Sequence, residues 1–345
     1  MKKWVLCGMC LISLFVGNKN ALAEETSSSS SQLAGGYTIE GVPNEHQLDK
    51  NVSYFYLKEN PGDKDQVKVK LTNDSSEEKT LEVKVTNANT NANGLIDYTG
   101  QLKDHRSLKY PLTSMAKATQ KEVKVPAKSS VETAIDIQMP KQTLPGVTIG
   151  GITVSEKQSE KKQNELSIGN VYTYTIGLVV TNESVVEPKK NVSVALDHVG
   201  AVLFDGRKMV QADILNPNPY MFTDATVKGK IYEKGATKAL KEQEKSNVSI
   251  APYSVYPFQF DWEKEELKAG TYVFKGTVEA NGKTWNFDQE FEISAEKAKK
   301  INHDAVVKIY IPSWLTYSSY GLSVVSILGT IYLFLRRKKI KRMCK

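Results

Sequence analysis

A long run without charged residues near the C-terminus constrains this chain more than any other feature. Residues 311–335 are 25 residues without a charge. A helix rises about 1.5 Å per residue, so this run can cross a hydrocarbon layer of roughly 30 Å with some tilt. Trp314, Tyr317 and Tyr320 lie on its N-terminal side, where aromatic rings settle at the lipid–water interface. The sequence therefore predicts a transmembrane helix over residues 311–335.

The flanking segments predict how this helix is oriented. Residues 336–345 contain seven basic residues, which the positive-inside rule keeps in the cytoplasm. At the N-terminus, Lys2 and Lys3 precede an apolar run and an Ala-Leu-Ala cleavage motif, which predicts a secretory signal peptide over residues 1–23. Residues 24–36 contain a run of serines and predict a flexible leader. We therefore expect a single-pass protein with an extracellular N-terminal region and a cytoplasmic C-terminus.

The net charge of +7 belongs to the membrane anchor, not to the extracellular region. Ten of the 46 Lys and Arg residues lie in the predicted signal peptide and tail, which leaves 36 against 39 Asp and Glu residues. This near-equal balance of charges excludes the strongly basic surface that is typical of nucleic-acid-binding proteins. Cys7, Cys10 and Cys344 also lie outside the extracellular region, which must rely on packed cores instead of disulfides. This cysteine usage favours a Gram-positive bacterium over an animal secretory pathway.

Short stretches of alternating apolar and polar residues fill the extracellular region. In residues 66–71, for example, Val67, Val69 and Leu71 share one face. A period of two indicates half-buried strands, and the Asn, Gly, Pro and Asp clusters between them indicate turns. The pattern predicts an all-β chain of two tandem antiparallel β-sandwich domains of the immunoglobulin-like type, followed by the transmembrane helix.

A polar gap over residues 156–165 separates two sets of predicted strands. The predicted units are a first domain over residues 37–156, a second domain over residues 164–295 and a charged stalk over residues 296–310. An alternative pairs residues 150–155 with residues 172–180 as one hairpin across the gap. The domain boundary therefore stays open between residues 156 and 190.

The most unusual stretch, residues 86–98, alternates asparagine with small residues. Its candidate site residues are Asn87, Asn89, Asn91, Asn93, Asp97 and Tyr98. Part of the spacing matches a calcium-binding loop, but Gly100 stands where such a loop has a bidentate glutamate, and hard cations need carboxylates. Two interpretations stay open. The carboxamides favour a loop that bonds its own backbone, and the alternative is a glycan-binding site in which the amides and Tyr98 contact a sugar.

The sequence contains no evident catalytic or metal-ligating constellation. The four histidines stand at no metal-ligand spacing from one another, and no Gly-x-Ser-x-Gly elbow is present. We predict a non-enzyme without cofactor, catalytic residues or metal; a glycosidase, which needs only two carboxylates, is the alternative. The aromatic stretch over residues 253–262 offers Tyr253, Tyr256 and Trp262 as a protein-docking surface. Its alternation favours a sandwich core instead.

Several short motifs occur together in the order found in one known family. They are residues 60–62 (NPG), 87–98 (NANTNANGLIDY), 125–129 (VPAKS), 139–140 (MP), 150–152 (GGI), 172–178 (YTYTIGL), 215–219 (LNPNP), 251–254 (APYS) and 269–272 (AGTY). From about residue 37 to residue 293 the chain therefore resembles the WxL-interacting proteins, a Gram-positive surface family. One departure is Leu144-Pro145-Gly146, where the family has an aromatic-Asp-Gly turn.

The resemblance implies an N-terminal peptidoglycan-binding domain and a C-terminal domain that binds host proteins. It also implies a partnership with WxL-domain surface proteins, with host extracellular-matrix proteins as further partners. We therefore predict a membrane-anchored binding and adhesion protein at the Gram-positive cell surface. The alternatives are a cell-wall glycan-processing enzyme and a purely structural wall spacer.

Overall fold

A computed structural model of the chain describes residues 34–157, 171–184, 187–307 and 313–343. The predicted signal peptide and most of the predicted leader lie outside these residues. The described residues before position 185 form β1 (Tyr37–Gly41), β2 (Phe55–Lys58), β3 (Lys64–Asn73), β4 (Lys79–Asn87), β5 (Asn89–Thr90), β6 (Ile96–Asp97), β7 (Ala116–Ala118), β8 (Glu122–Val125), β9 (Ser129–Gln138), β10 (Val147–Glu156) and β11 (Thr173–Thr181).

Two sheets pack face to face to form the first sandwich. One has the strand order β1-β3-β9-β7 and the other the order β2-β11-β10-β4-β8, while β5 and β6 form a small separate hairpin. The pairs are antiparallel except for β2 and β11, which run parallel. Val67, Val69 and Leu71 of β3 are buried between the sheets, as their alternation predicts. The all-β, immunoglobulin-like fold class is confirmed.

Strand β11 belongs to the first sandwich, although it lies beyond the polar gap. The sequence analysis assigns this strand to a second domain that begins at residue 164, but β11 pairs with β10 from Val147↔Thr181 to Ser155↔Thr173. It also forms the parallel pair with β2. Its apolar residues Ile176, Leu178 and Val180 lie in the core of the first sandwich. The strand therefore completes the first sandwich, as the hairpin alternative predicts. We propose that the structural boundary follows Thr181, within the range that the sequence analysis left open.

The second sandwich begins after this boundary. Its strands are β12 (Ala195–Phe204), β13 (Arg207–Leu215), β14 (Phe222–Glu233), β15 (Lys241–Ile250), β16 (Val255–Asp261), β17 (Gly270–Ala280) and β18 (Lys283–Ile293). They form one sheet of order β12-β13-β16 and another of order β15-β14-β17-β18. Aromatic rings fill the space between the sheets, with the Phe258 and Phe260 centroids 5.0 Å apart. A Cβ on Gly229 would lie 2.8 Å from Phe258, so glycine there makes room for the rings.

Helix α1 (Ala295–Asp304) forms most of the segment predicted as a stalk. Its N-terminus is capped by Ser294, whose hydroxyl accepts a hydrogen bond from the Lys297 amide. Ala298 and Ile301 pack into the core of the second sandwich. The Asn302 side chain also bonds both backbone groups of Leu267, at 2.8 and 2.9 Å. One apolar stripe of this helix therefore packs against the second sandwich.

The C-terminal helix α2 (Ser313–Met343) carries the apolar run. Within it, Tyr317–Arg336 has a mean hydropathy of 1.6 over its most apolar window, and none of that window is buried against the rest of the protein. By length and composition this helix can cross a membrane. An apolar C-terminal helix is therefore present, as the sequence predicts.

Candidate functional site

The Asn-rich stretch forms the β5–β6 hairpin. Asn89 pairs with Asp97 and Thr90 pairs with Ile96 across it. At the turn, the Asn91 side-chain oxygen accepts hydrogen bonds from the backbone N–H groups of Asn93 and Leu95, at 2.9 and 3.2 Å. These contacts are those of a carboxamide that holds its own turn, and they support the backbone interpretation of the stretch.

Two further asparagines of this stretch face inward. Asn87 and Asn89 are buried, and their amides donate to the two carboxylate oxygens of Asp104, at 2.7 and 2.9 Å. The Asn87 oxygen accepts from the backbone N–H of Thr113 at 3.1 Å. The Asp97 carboxylate accepts from both the backbone and the hydroxyl of Thr99. Two of the predicted glycan residues, Asn87 and Asn89, therefore have their amides engaged inside the protein.

The hairpin also contacts the second sandwich. The backbone N–H of Ala251 donates to the Thr90 hydroxyl at 3.0 Å, and the N–H of Ser249 donates to the Gly94 carbonyl at 2.8 Å. Gly94 has a positive φ of 74°, and a Cβ there would lie 3.0 Å from Val248. Only glycine satisfies this turn and this close approach together. The Asn-rich hairpin therefore forms part of the contact between the two domains.

Other contacts extend this interdomain surface. An apolar cluster joins the two sandwiches and consists of Tyr56, Ala88, Val147, Ile149, Val179 and Ala251. Arg106 forms an ion pair with Asp197 at 2.5 Å, and the Ser107 hydroxyl donates to the Tyr253 carbonyl at 2.8 Å. The half-buried Tyr98 ring packs against the apolar cluster. Burial raises the pKa of Tyr98, and the nearby Tyr54 raises it to a smaller extent.

The three predicted docking residues are all buried. Tyr256 and Trp262 are 1% and 4% exposed and belong to the core of the second sandwich. Tyr253 is 6% exposed and lies at the interdomain surface, where its ring meets that of Tyr110 edge-on at 6.5 Å. The alternation of this stretch had favoured a core, and the burial of Tyr256 and Trp262 supports that interpretation. None of the three rings offers a docking face in this structure.

A cleft opens at one edge of the first sandwich, between β1 and β2. It has a volume of about 690 Å³ and is covered in part by the loop over residues 42–54. Its walls include Tyr54 and the polar residues Asn44, Lys50 and Ser53. Sequence reasoning missed this cleft. The signal available was the length of the β1–β2 loop, because long loops without secondary structure are usually functional.

A buried carboxylate lies beside this cleft. Glu59, just after β2, is 1% exposed, and its Oε1 lies 2.9 Å from Nδ1 of His46 in the loop. Burial raises the pKa of Glu59 to about 7, against the lowering effect of the His46 hydrogen bond. The hydrogen bond to Glu59 in turn raises the pKa of His46.

A second open surface covers the outer face of the β15-β14-β17-β18 sheet. It forms a shallow groove of about 780 Å³ lined by charged side chains. Lys230 and Glu242 form an ion pair at 3.0 Å, and Lys275 and Asp288 form another at 3.3 Å. Charges of both signs thus alternate across exposed strands, an arrangement suited to orienting a charged partner.

Comparisons with solved structures show several distant likenesses. The PapD-like domain 7 of human CEP192 is 10% identical, with 49% of this chain and 97% of that chain covered and a TM-score of 0.27. The Pseudomonas aeruginosa CupB2 chaperone is 13% identical, with 65% and 91% covered and a TM-score of 0.26. The E. coli chaperone DraB is 14% identical, with 69% and 94% covered and a TM-score of 0.27. These scores carry no inference about function.

The fold and its open surfaces define a class of protein: an all-β binding protein of two sandwiches followed by an apolar helix. No curated protein matches the chain in sequence. Two family models do match, the WxL Interacting Protein peptidoglycan binding domain over residues 37–156 and the host binding domain over residues 163–303. Together they span most of the chain, which therefore belongs to the WxL Interacting Protein family. It is a cell-surface binding protein.

Proposed function

We propose that α2 anchors this protein in the membrane of a Gram-positive cell, with both sandwiches outside. The support is the fully exposed apolar surface of Tyr317–Arg336 and the basic segment over residues 336–345 that follows it. The signal peptide over residues 1–23 would direct export. Detergent should release the intact protein from isolated cell envelopes. Release by wall-lytic enzymes alone would contradict the membrane anchor.

We propose further that the first sandwich binds peptidoglycan through the cleft between β1 and β2. The observation that carries this proposal is a cleft of about 690 Å³ in the domain that matches the peptidoglycan-binding model. Asn44, Lys50 and Ser53 offer donors and acceptors to sugar hydroxyls. Each neutral hydrogen bond adds only about 1 kcal/mol, so the affinity of one cleft is modest.

Blocking the cleft tests this proposal. Ser53 is exposed at the cleft wall, so Ser53→Trp fills the space without disturbing the core. Loss of one or two contacts of about 1 kcal/mol each should weaken pelleting with purified peptidoglycan about five- to thirtyfold. Gln120→Trp is the matched control, because Gln120 is exposed beyond β7 at the opposite edge of its sheet. Equal pelleting by both variants would remove the cleft from the glycan site.

The Asn-rich hairpin supplies a second comparison for the same assay. Asn93 is its exposed asparagine, so Asn93→Ala removes the most accessible amide of the alternative glycan site. Pelleting should persist in Asn93→Ala if the cleft binds the wall. Loss of pelleting in Asn93→Ala, with Ser53→Trp unchanged, would move the glycan site to the hairpin.

For the second sandwich, we propose that the charged outer face of the β15-β14-β17-β18 sheet contacts protein partners. WxL-domain surface proteins and host extracellular-matrix proteins are the candidates, and the match to a host binding domain supports this assignment. Exposed charges mainly set the association rate and its salt dependence. Lys230→Glu should therefore slow association with a WxL-domain protein in surface plasmon resonance. Lys117→Glu, on the first sandwich, is the control, and equal rates for the two variants would exclude this face.

We propose that the protein acts by binding and not by catalysis. Its accessible surfaces offer hydrogen-bonding and charged groups for a partner, and the matched domains are both described as binding domains. Incubation of the purified chain with peptidoglycan should release no soluble fragments. Release of reducing sugars would instead favour the glycan-processing alternative.

A further inference from the structure

Three ligand-type side chains from separate segments meet beside the cleft. His46 lies in the loop after β1, Glu59 follows β2, and Asp65 belongs to β3. Because β2 and β3 belong to different sheets, the three side chains bridge the two layers of the first sandwich. None of the three ligand residues belongs to the Asn-rich stretch or to the residues that line the cleft.

The distances within this cluster suit one bound ion. Nδ1 of His46 lies 2.9 Å from Oε1 of Glu59 and 3.3 Å from Oδ2 of Asp65. One ligand atom from each residue lies within 4.8 Å of the other two. A tetrahedral ion with metal–ligand bonds of about 2.1 Å separates its ligands by about 3.4 Å. Small movements of these side chains would therefore suffice to coordinate a metal.

A buried oxygen in the cluster points to a missing ligand. Glu59 is 1% exposed, and its Oε2 has no hydrogen-bond partner among the described residues. The ion pairs found for Glu59 and Asp65 in the described part of the chain involve only His46. One imidazole faces two carboxylates, so the cluster can carry excess negative charge in a buried place. Such a charge is costly unless a cation or proton compensates it.

A second layer of hydrogen bonds holds the cluster in place. The Asn44 amide donates to Oδ2 of Asp65 at 3.0 Å, and the Asn44 oxygen accepts from the His46 backbone N–H at 2.7 Å. The Glu59 backbone is fixed by Thr181 and by the Asn182 side chain. Partners of this kind orient ligands in metal sites. The His46 side chain is 40% exposed, which leaves a path for an ion from solvent.

We propose that His46, Glu59 and Asp65 bind a divalent transition-metal ion of the Zn²⁺ type, with water as the fourth ligand. One imidazole and two carboxylates suit such an ion, whereas the softest metals prefer thiolates. The ion would link the β1–β2 loop to both sheets. It would thereby fasten the loop that borders the cleft.

Calorimetry tests the site directly. The full-length chain, produced without a polyhistidine tag, is stripped with chelator in detergent and titrated with ZnCl₂. We expect one Zn²⁺ per chain, no such binding in His46→Ala, and binding about 10–100-fold weaker in Asn44→Ala. His303→Ala, which changes an exposed histidine of α1 beside Asp304, is the matched control and should bind as the wild type does.

A melting experiment covers the case in which His46→Ala folds poorly. Glu59→Gln keeps the shape of the side chain but removes the charged ligand. Zn²⁺ should raise the melting temperature of the wild type and leave that of Glu59→Gln unchanged. Absence of Zn²⁺ binding by the wild type, or a Zn²⁺-dependent shift retained in Glu59→Gln, would overturn the proposal.

Discussion

At the scale of single residues, one residue type serves opposite roles within a few positions. Asn89 is buried with its amide on Asp104, Asn91 holds the turn, and Asn93 is exposed. Of the two interpretations of the alternating sequence, only the glycan-binding site requires these amides to act together. The hydrogen bonds separate them: Asn89 bonds Asp104, fifteen residues away, whereas Asn91 bonds the backbone of its own turn. A pattern of residue types therefore did not separate structural amides from accessible ones.

Removal of one inward-facing amide should cost stability. Asn89→Ala deletes a buried hydrogen bond to the Asp104 carboxylate, and bonds to charged groups contribute about 1.5–3 kcal/mol. We expect the free energy of unfolding to fall by about 1.5 kcal/mol in chemical denaturation, since exposed Asp104 regains water. Asn93→Ala should change it by less than about 0.5 kcal/mol. Equal losses in the two variants would contradict this division of roles.

Tyr37 gives a prediction for alkaline pH. It is fully buried, and its hydroxyl lies 2.5 Å from the Tyr172 carbonyl. Burial, then the nearby Tyr174 and Glu156, raises the pKa of Tyr37 from 10.0 to about 12. The unfolded chain therefore loses this proton first, and stability falls as the pH rises from about 10 to about 12. Tyr37→Phe should be less stable than the wild type at pH 8, but its free energy of unfolding should fall less as the pH is raised further.

Denaturant melts at pH 8 and pH 11 measure this difference. Tyr232→Phe, a half-exposed tyrosine on β14, serves as the control and should follow the wild-type pH dependence. If Tyr37→Phe shows the same pH dependence as the wild type, the Tyr37 hydroxyl contributes nothing to alkaline unfolding.

At the scale of elements, periodicity located the strands well because burial on one face selects alternate apolar residues. It was less informative for β10, where Val147 and Ile149 face the second sandwich while Ile152 and Val154 face the core of the first. Nor did it show which sheet β11 joins, because pairing depends on contacts distant in sequence. The predicted stalk shows the same limit. Two apolar residues, Ala298 and Ile301, attach α1 to the domain.

The position of β11 predicts where the chain can be divided. A fragment of residues 34–184 retains β11 between β10 and β2, whereas a fragment of residues 34–157 loses Ile176, Leu178 and Val180 from the core. Each lost core side chain costs about 2–5 kcal/mol, and the three together cost about as much as the whole stability of a typical domain. We expect cooperative thermal unfolding only for the longer fragment. A cooperative transition in the shorter fragment would mean that β11 is dispensable.

At the scale of the whole molecule, the two sandwiches share a surface that the sequence did not reveal. Three contacts link the two domains: the hydrogen bond at Gly94, the apolar cluster around Ile149 and the Arg106–Asp197 ion pair. The cleft and the His46 cluster were missed for the same reason, since each gathers residues from separate segments. We predict that this shared surface couples the two sandwiches, so that they unfold as one cooperative unit.

A variant that weakens the interdomain surface tests whether the two sandwiches unfold together. Ile149 is 6% exposed on the outer face of β10, within the interdomain cluster, so Ile149→Glu forces a charge into an apolar contact. Calorimetry of the wild type should show one transition for both sandwiches, whereas Ile149→Glu should show two. Thr175→Glu places the same charge on the neighbouring strand β11 at an exposed position and should keep one transition. Two transitions in the wild type would show that the interdomain surface is too weak to couple the unfolding of the domains. A single transition at a lower temperature in Ile149→Glu would show that the remaining contacts couple the domains without the apolar cluster.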